Sequence, residues 1–162
     1  KYKEMIIIPS YDERGMLNFF VGRNFSQASP VKYRNPSVSK NIVALELMIN
    51  WSSPIILCEG MFDAIAIKRN AIPLLGKTLS EKLMKKLVSA EVKQVFIALD
   101  NDALKQALNY CETLLNHGKE VFLVNLQSKD PSELGFKGFT SLLHESTPLT
   151  FYDLMKKKLQ IA

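Results

Sequence analysis

PIILCEGMFDAIAIKR, residues 54–69, reads as a strand that runs into a glycine and then a helix. Pro54 to Cys58 is an unbroken apolar run of strand length, the pattern of a strand buried on both faces. Glu59-Gly60 breaks it, and Met61 to Arg69 then follows helical spacing. The same alternation continues downstream. Ala71 to Leu75 is a second strand, and Ser80 to Ser89 is a helix with Leu83, Leu87 and Val88 at helical spacing and Thr78 or Ser80 as its cap. Gln94 to Leu99 is a third strand, Ala103 to His117 a long helix closed by Gly118, and Val121 to Val124 a fourth strand. Strands alternating with helices predict an α/β fold, a parallel sheet with helices on both faces and right-handed crossovers. Beyond Gln127 the pattern weakens into helices near Lys137 to His144 and Thr150 to Leu159.

Upstream the character changes. Met5 to Pro9 and Leu17 to Gly22 are β-prone runs on either side of Asp12-Glu13-Arg14-Gly15, a hairpin signal. Arg23 to Asn41 is polar, contains Pro30 and Pro36, and reads as loop, while Asn41 to Asn50 (NIVALELMIN) reads as a short helix. The chain therefore divides into a small α+β subdomain (residues 1–52), a four-stranded parallel α/β domain (53–127), and an acidic loop with C-terminal helices (128–162).

The 162 residues are 47% hydrophobic, enough for a core, and 23% charged, near the globular average. No apolar run approaches the roughly 20 residues that cross a bilayer, and the start lacks a signal peptide's apolar stretch, so a cytoplasmic location is expected. Cys58 and Cys111 each fall in apolar patterns and read as buried free thiols. His117 and His144 read as surface or helix-end residues and Trp51 as packing near the join of the two parts. A formal charge of +5 favours anionic partners, nucleic acid among them.

Ligands of open parallel sheets bind beyond the carboxyl ends of the strands. Those positions hold Glu59-Gly60 after the first strand, Asp100-Asn101-Asp102 after the third, and Lys129-Asp130-Pro131-Ser132-Glu133 after the fourth. In a 2-1-3-4 strand order, Glu59, Asp100 and Asp102 converge. Three clustered carboxylates repel one another unless a counter-charge joins them. A hard divalent ion such as Mg²⁺ or Mn²⁺ supplies it, through oxygen ligands. Gly60 lets a phosphate or ion approach the backbone. The structural alternative is that each acid merely caps a helix, and Asp63, one turn into the first helix, suits a dipole role as well as a functional one.

ILCEGMFDAIAIKR (56–69), LLGKTLS (74–80) and VFIALDNDALKQA (95–107) together resemble the Toprim domain, whose marks are a Glu after the first strand and Asp-x-Asp after the third. IIIPSYDERGMLNFFVGRNF (6–25), VKYRNPS (31–37) and KDPSE (129–133) narrow the likeness to the catalytic core (RNA polymerase domain) of bacterial or phage DnaG-type DNA primases. The resemblance implies a Toprim, Rossmann-like sheet preceded by a small α+β subdomain. It also implies metal-dependent synthesis of short primers during DNA replication. It assigns Glu59, Asp100 and Asp102 to catalysis and, with Asp130, to Mg²⁺ or Mn²⁺, with Gly60 and Asp63 in support. Arg23, Lys32, Tyr33, Asn35 and Lys77 would hold single-stranded DNA template or nucleoside triphosphate. Ser132 departs from the family's second Asp in the last loop. The zinc-ribbon cysteines and helicase-binding region of the family have no counterpart in the sequence, so coupling to a replicative helicase is expected to need modules outside it. Rival readings are a Toprim nuclease, which would use the same acids, a non-catalytic nucleic-acid-binding module, and a receiver-like signalling domain. The last would want an acidic pair after the first strand, where this chain has the single Glu59.

Overall fold

The computed structural model describes residues 2–26, 29–127 and 129–161. Its elements, in chain order, are strands β1 (Met5–Tyr11), β2 (Leu17–Asn24) and β3 (Tyr33–Arg34), a 3₁₀ turn at Glu46–Met48, β4 (Ile55–Cys58), α1 (Met61–Ile67), β5 (Ala71–Pro73), α2 (Glu81–Ser89) and β6 (Gln94–Ala98). A second 3₁₀ turn, Asn101–Ala103, leads into α3 (Leu104–Asn116), followed by β7 (Glu120–Leu123), α4 (Pro131–Glu145) and α5 (Phe151–Gln160).

Four parallel strands form one sheet in the order β5-β4-β6-β7, the 2-1-3-4 order that convergence of Glu59, Asp100 and Asp102 requires. The apolar run of β4 is explained by two-sided burial. Ile55 and Leu57 belong to one core, with Leu83 and Leu87 of α2, Leu108 of α3 and Leu154 of α5. Ile56 and Cys58 belong to the other, with Ala64 and Ile67 of α1 and Phe139 of α4. Successive strand residues point to opposite faces, so a sheet covered on both sides has no use for a polar residue in its middle. Cys58 and Cys111 are both buried and free.

Local chemistry sets the element ends. Ser80 Oγ accepts the Leu83 amide at 3.1 Å and caps α2. Gly118 takes φ +73 after α3, where its amide and that of Lys119 close back on Leu115 and Leu114. The α5 cap is reciprocal: Thr150 Oγ1 accepts the Asp153 amide, and Asp153 reaches back to the Thr150 amide.

Three expectations of local structure change. Asn41 to Asn50 is not a helix beyond the 3₁₀ turn at Glu46–Met48. Leu45 takes a left-handed φ of 58°, its amide donates to Ser10 Oγ at 2.9 Å, and Val43, Ala44 and Glu46 are buried. Tertiary burial of an irregular segment overrides helical spacing here. The polar stretch after Arg23 is also more ordered than a loop: β2 runs on to Asn24, and Tyr33–Arg34 pairs with it antiparallel. Residues 27 and 28 of that stretch lie outside the described residues. Finally, α4 begins at Pro131, six residues before the expected start near Lys137, and breaks at Gly135 (φ 64°, ψ 179°). That conformation suits glycine, so a short capped turn precedes the main helix.

β1, β2 and β3 make a separate antiparallel sheet. Gly22 in β2 is obligatory: a Cβ there would lie 2.6 Å from the Arg34 carbonyl oxygen. Its absence lets β3 close on β2 and carry Tyr33 next to Arg23. No helix among the described residues is long and apolar enough to cross a membrane.

Candidate metal centre and nucleic-acid cleft

The parallel register decides which side chains meet. Cys58 pairs with Ala98, so Glu59 leaves β4 beside the chain that leaves β6 toward Asp100. The Asp100 amide donates to Glu59 Oε1 at 3.1 Å and fixes that carboxylate. Glu59, Asp100 and Asp102 each present an oxygen, and these oxygens all lie within 4.8 Å of one another. The donor set is all carboxylate, which is the chemistry of Mg²⁺ and Mn²⁺ sites and unlike the thiolate and imidazole sets preferred by zinc.

The acids load the site electrostatically. Burial raises the Glu59 carboxyl above its ordinary value, and the charges of Asp100 and Asp102 push it further, while the Asp100 amide and Lys77 oppose this. Asp100 is raised by burial first, then by Asp102 and Asp130. Asp63 is raised by burial too, although its carboxylate accepts the Gly60 amide at 3.0 Å. That bond makes Asp63 the staple that holds Gly60 at the start of α1. A Cβ on residue 60 would sit 2.9 Å from the same carboxylate oxygen.

Asp130 caps α4: its Oδ1 accepts the Glu133 amide at 2.8 Å and the Ser132 hydroxyl at 2.7 Å. Its capping role is thus visible, and its charge also reaches Asp100 and Asp63. Lys77 makes an ion pair with Asp102, so in this state it faces the acids and leaves the basic side of the cleft to others.

The upstream segment contributes Arg23, Lys32, Tyr33 and Asn35. They line one cleft of about 560 Å³ together with Glu59, Gly60, Asp63, Asp100 and Asp130. The structure thus brings the upstream segment and the strand-end acids, far apart in sequence, to a single groove. Asp102 and Lys77 are beside it, outside its lining.

Sequence reasoning missed Phe62. Its ring lies 4.6 Å below the Arg23 guanidinium, and Tyr33 flanks the same cation at 5.6 Å. Two aromatic faces hold Arg23 at the groove. Phe62 occupies an ordinary apolar position of α1, and nothing in its spacing distinguishes it from core. Glu133 also lines the cleft and adds to the charge felt by Asp100. Its place directly after Ser132 was the available signal.

Comparison with known proteins agrees with this geometry. Residues 56–134 match the family described as Toprim-like. An uncharacterized protein of Mycoplasma genitalium is 31% identical over 144 residues, 82% of this chain and 66% of its own length. A DNA primase of Legionella pneumophila is 27% identical across 100% of this chain, which spans 32% of that enzyme. The crystal structure of a DNA primase domain from Pseudomonas aeruginosa superposes with a TM-score of 0.74 at 26% identity, covering 99% of this chain and 57% of the other. The chain thus spans just under two thirds of the first relative and about a third of the second.

Proposed function

The chain carries a Toprim domain set in the catalytic-core fold of the DnaG-type primases, and from that premise we propose that it is a primase core that joins nucleotides on a single-stranded DNA template. The observation that carries this is the meeting of Glu59, Asp100 and Asp102 within 4.8 Å at the sheet end, beside a cleft that Arg23, Lys32 and Tyr33 line together with Glu59 and Asp100.

Glu59, Asp100 and Asp102 would hold Mg²⁺ or Mn²⁺, with Asp130 extending the acidic set. The bound ion would supply positive charge against the transferring phosphate. The chain's residues do the rest. Arg23 and Lys32 pair with phosphates of template or triphosphate, and Tyr33 offers a face on which a base can stack. Asn35 lines the same cleft with an amide that can donate or accept. In the reaction, the 3′-oxygen of one nucleotide bonds to the α-phosphorus of the next. The bond from that phosphorus to pyrophosphate breaks. Glu59 Oε1 is engaged by the Asp100 amide, which leaves Oε2 to accept the proton of the attacking hydroxyl. Gly60, held by Asp63, keeps the approach to Glu59 clear of a side chain.

The test is de novo synthesis on single-stranded DNA with labelled ribonucleotides and Mg²⁺ or Mn²⁺, run on this chain and on Glu59→Gln. Short products that vanish in the variant are expected, a loss of at least about 100-fold. Cutting of labelled DNA without synthesis would replace the primase reading with a Toprim nuclease built on the same acids.

A further inference from the structure

Lys77 sits in the loop between β5 and α2, and that loop is held in an uncommon shape. Leu75 takes φ +58 and Gly76 φ +141, a region that favours glycine. Several elements pin it there. The Gly76 amide donates to the Glu59 carbonyl at 3.1 Å. The Lys40 ammonium donates to the Leu75 carbonyl at 2.6 Å. From α3, the Tyr110 hydroxyl donates to the Lys77 carbonyl at 3.3 Å and accepts the Leu79 amide at 3.1 Å. The Lys77 stem therefore starts from a fixed point next to the residue that begins the acidic cluster, and its ammonium reaches Asp102. Its charge also acts on Glu59 and Asp100. Arg23, which lines the same cleft, lies over the rings of Phe62 and Tyr33 and does not pair with the acids of the cluster among the described contacts.

We propose that Lys77 is a built-in counter-ion of the acidic cluster: it occupies Asp102 in the free protein, is displaced when a divalent cation binds, and then turns toward the phosphates that arrive with it. This rests on the metal-centre reading of Glu59, Asp100 and Asp102. The pair is suited to exchange. Its side chains are 43% and 67% exposed, so breaking it costs little. A lysine is a point charge on a flexible stem, able to move without dragging the loop. While in place it offsets the mutual repulsion of the acids, and its own charge repels an incoming cation.

The experiment is a Mn²⁺ titration at pH 8 and low salt. Free ion is followed by its paramagnetic resonance signal for the wild type, Lys77→Met, Lys77→Arg and Glu59→Gln. Because the divalent ion must displace an exposed ion pair, Lys77→Met is expected to bind Mn²⁺ about three- to ten-fold more tightly than wild type. Lys77→Arg, which keeps the cation, should stay near wild type, and Glu59→Gln should lose most of the binding. Unchanged or weaker binding by Lys77→Met, with Glu59→Gln still defective, overturns the counter-ion and leaves the metal centre standing. Equal weak binding by all four removes the metal centre and the counter-ion with it.

Discussion

Asp100 shows at the scale of one residue how a candidate metal site carries unfavourable charge. Burial and the nearby Asp102 and Asp130 raise its pKa above the ordinary carboxylate value. A carboxyl raised in the folded state binds its proton more tightly there than in the unfolded chain. Stability therefore falls as pH rises from the unfolded value through the folded one, and the deficit persists at neutral pH. Asp100→Asn removes that charge, so without divalent ion its melting temperature at pH 7 should exceed wild type by about 1–3 °C. The gain should shrink as the pH is lowered toward 4 and the wild-type acids take up protons. Thermal melts in chelator across that range check the sign. A variant less stable than wild type at pH 7 would show that Asp100 is structural.

At the scale of elements, one ion network ties the hairpin to the sheet domain. Lys86 of α2 reaches Glu13 of the β1–β2 turn at 2.5 Å and Glu46 of the 3₁₀ turn at 3.3 Å, and it lies 5.4 Å over the Trp51 ring. The Glu46 side chain is 1% exposed, and its oxygens have no hydrogen-bond partner among the described residues. Its charge is compensated by Lys86 and, at 3.7 Å, Lys82. Lys86→Met should therefore cost about 1–3 kcal/mol, because it strands a buried carboxylate. The preceding residue supplies the control. Lys85 pairs with Glu81 one helical turn back with both side chains mostly exposed, and Lys85→Met should cost under about 0.5 kcal/mol. Denaturant unfolding of both variants decides it; equal losses would mean that the Glu46 network contributes no more than a surface pair.

Over the whole molecule, charges of both signs meet at one cleft. The net +5 coexists with acidic and basic side chains that line the same cleft. Single-strand binding through Arg23 and Lys32 should weaken with salt. Each phosphate contact contributes about −0.7 to the slope of log K against log salt concentration. Lys32→Ala should reduce the slope by about that amount and leave sequence preference unchanged. Fluorescence anisotropy over a salt series measures this, and an unaltered slope would take Lys32 off the phosphate path.

The alternation from Pro54 to Val124 identified the parallel sheet, because a strand covered on both faces must be apolar throughout and its first polar residue falls at its end; the 2-1-3-4 order entered as a premise, and the pairing of β4 with β6 decided it. For the same reason Glu59, Asp100 and Asp102 could be named: strand ends are where such a sheet places them. Asn41 to Asn50 could not be read this way. Its spacing fits a helix, yet contacts with Ser10 and the cation pair of α2 hold it irregular. Phe62 beneath Arg23 and the seating of Lys77 on Asp102 likewise depend on how distant segments meet. Periodicity reports what one element buries, and so the sequence carried the sheet and its acids. The partner a side chain meets across tens of residues is chosen by packing, and only the tertiary structure decided that.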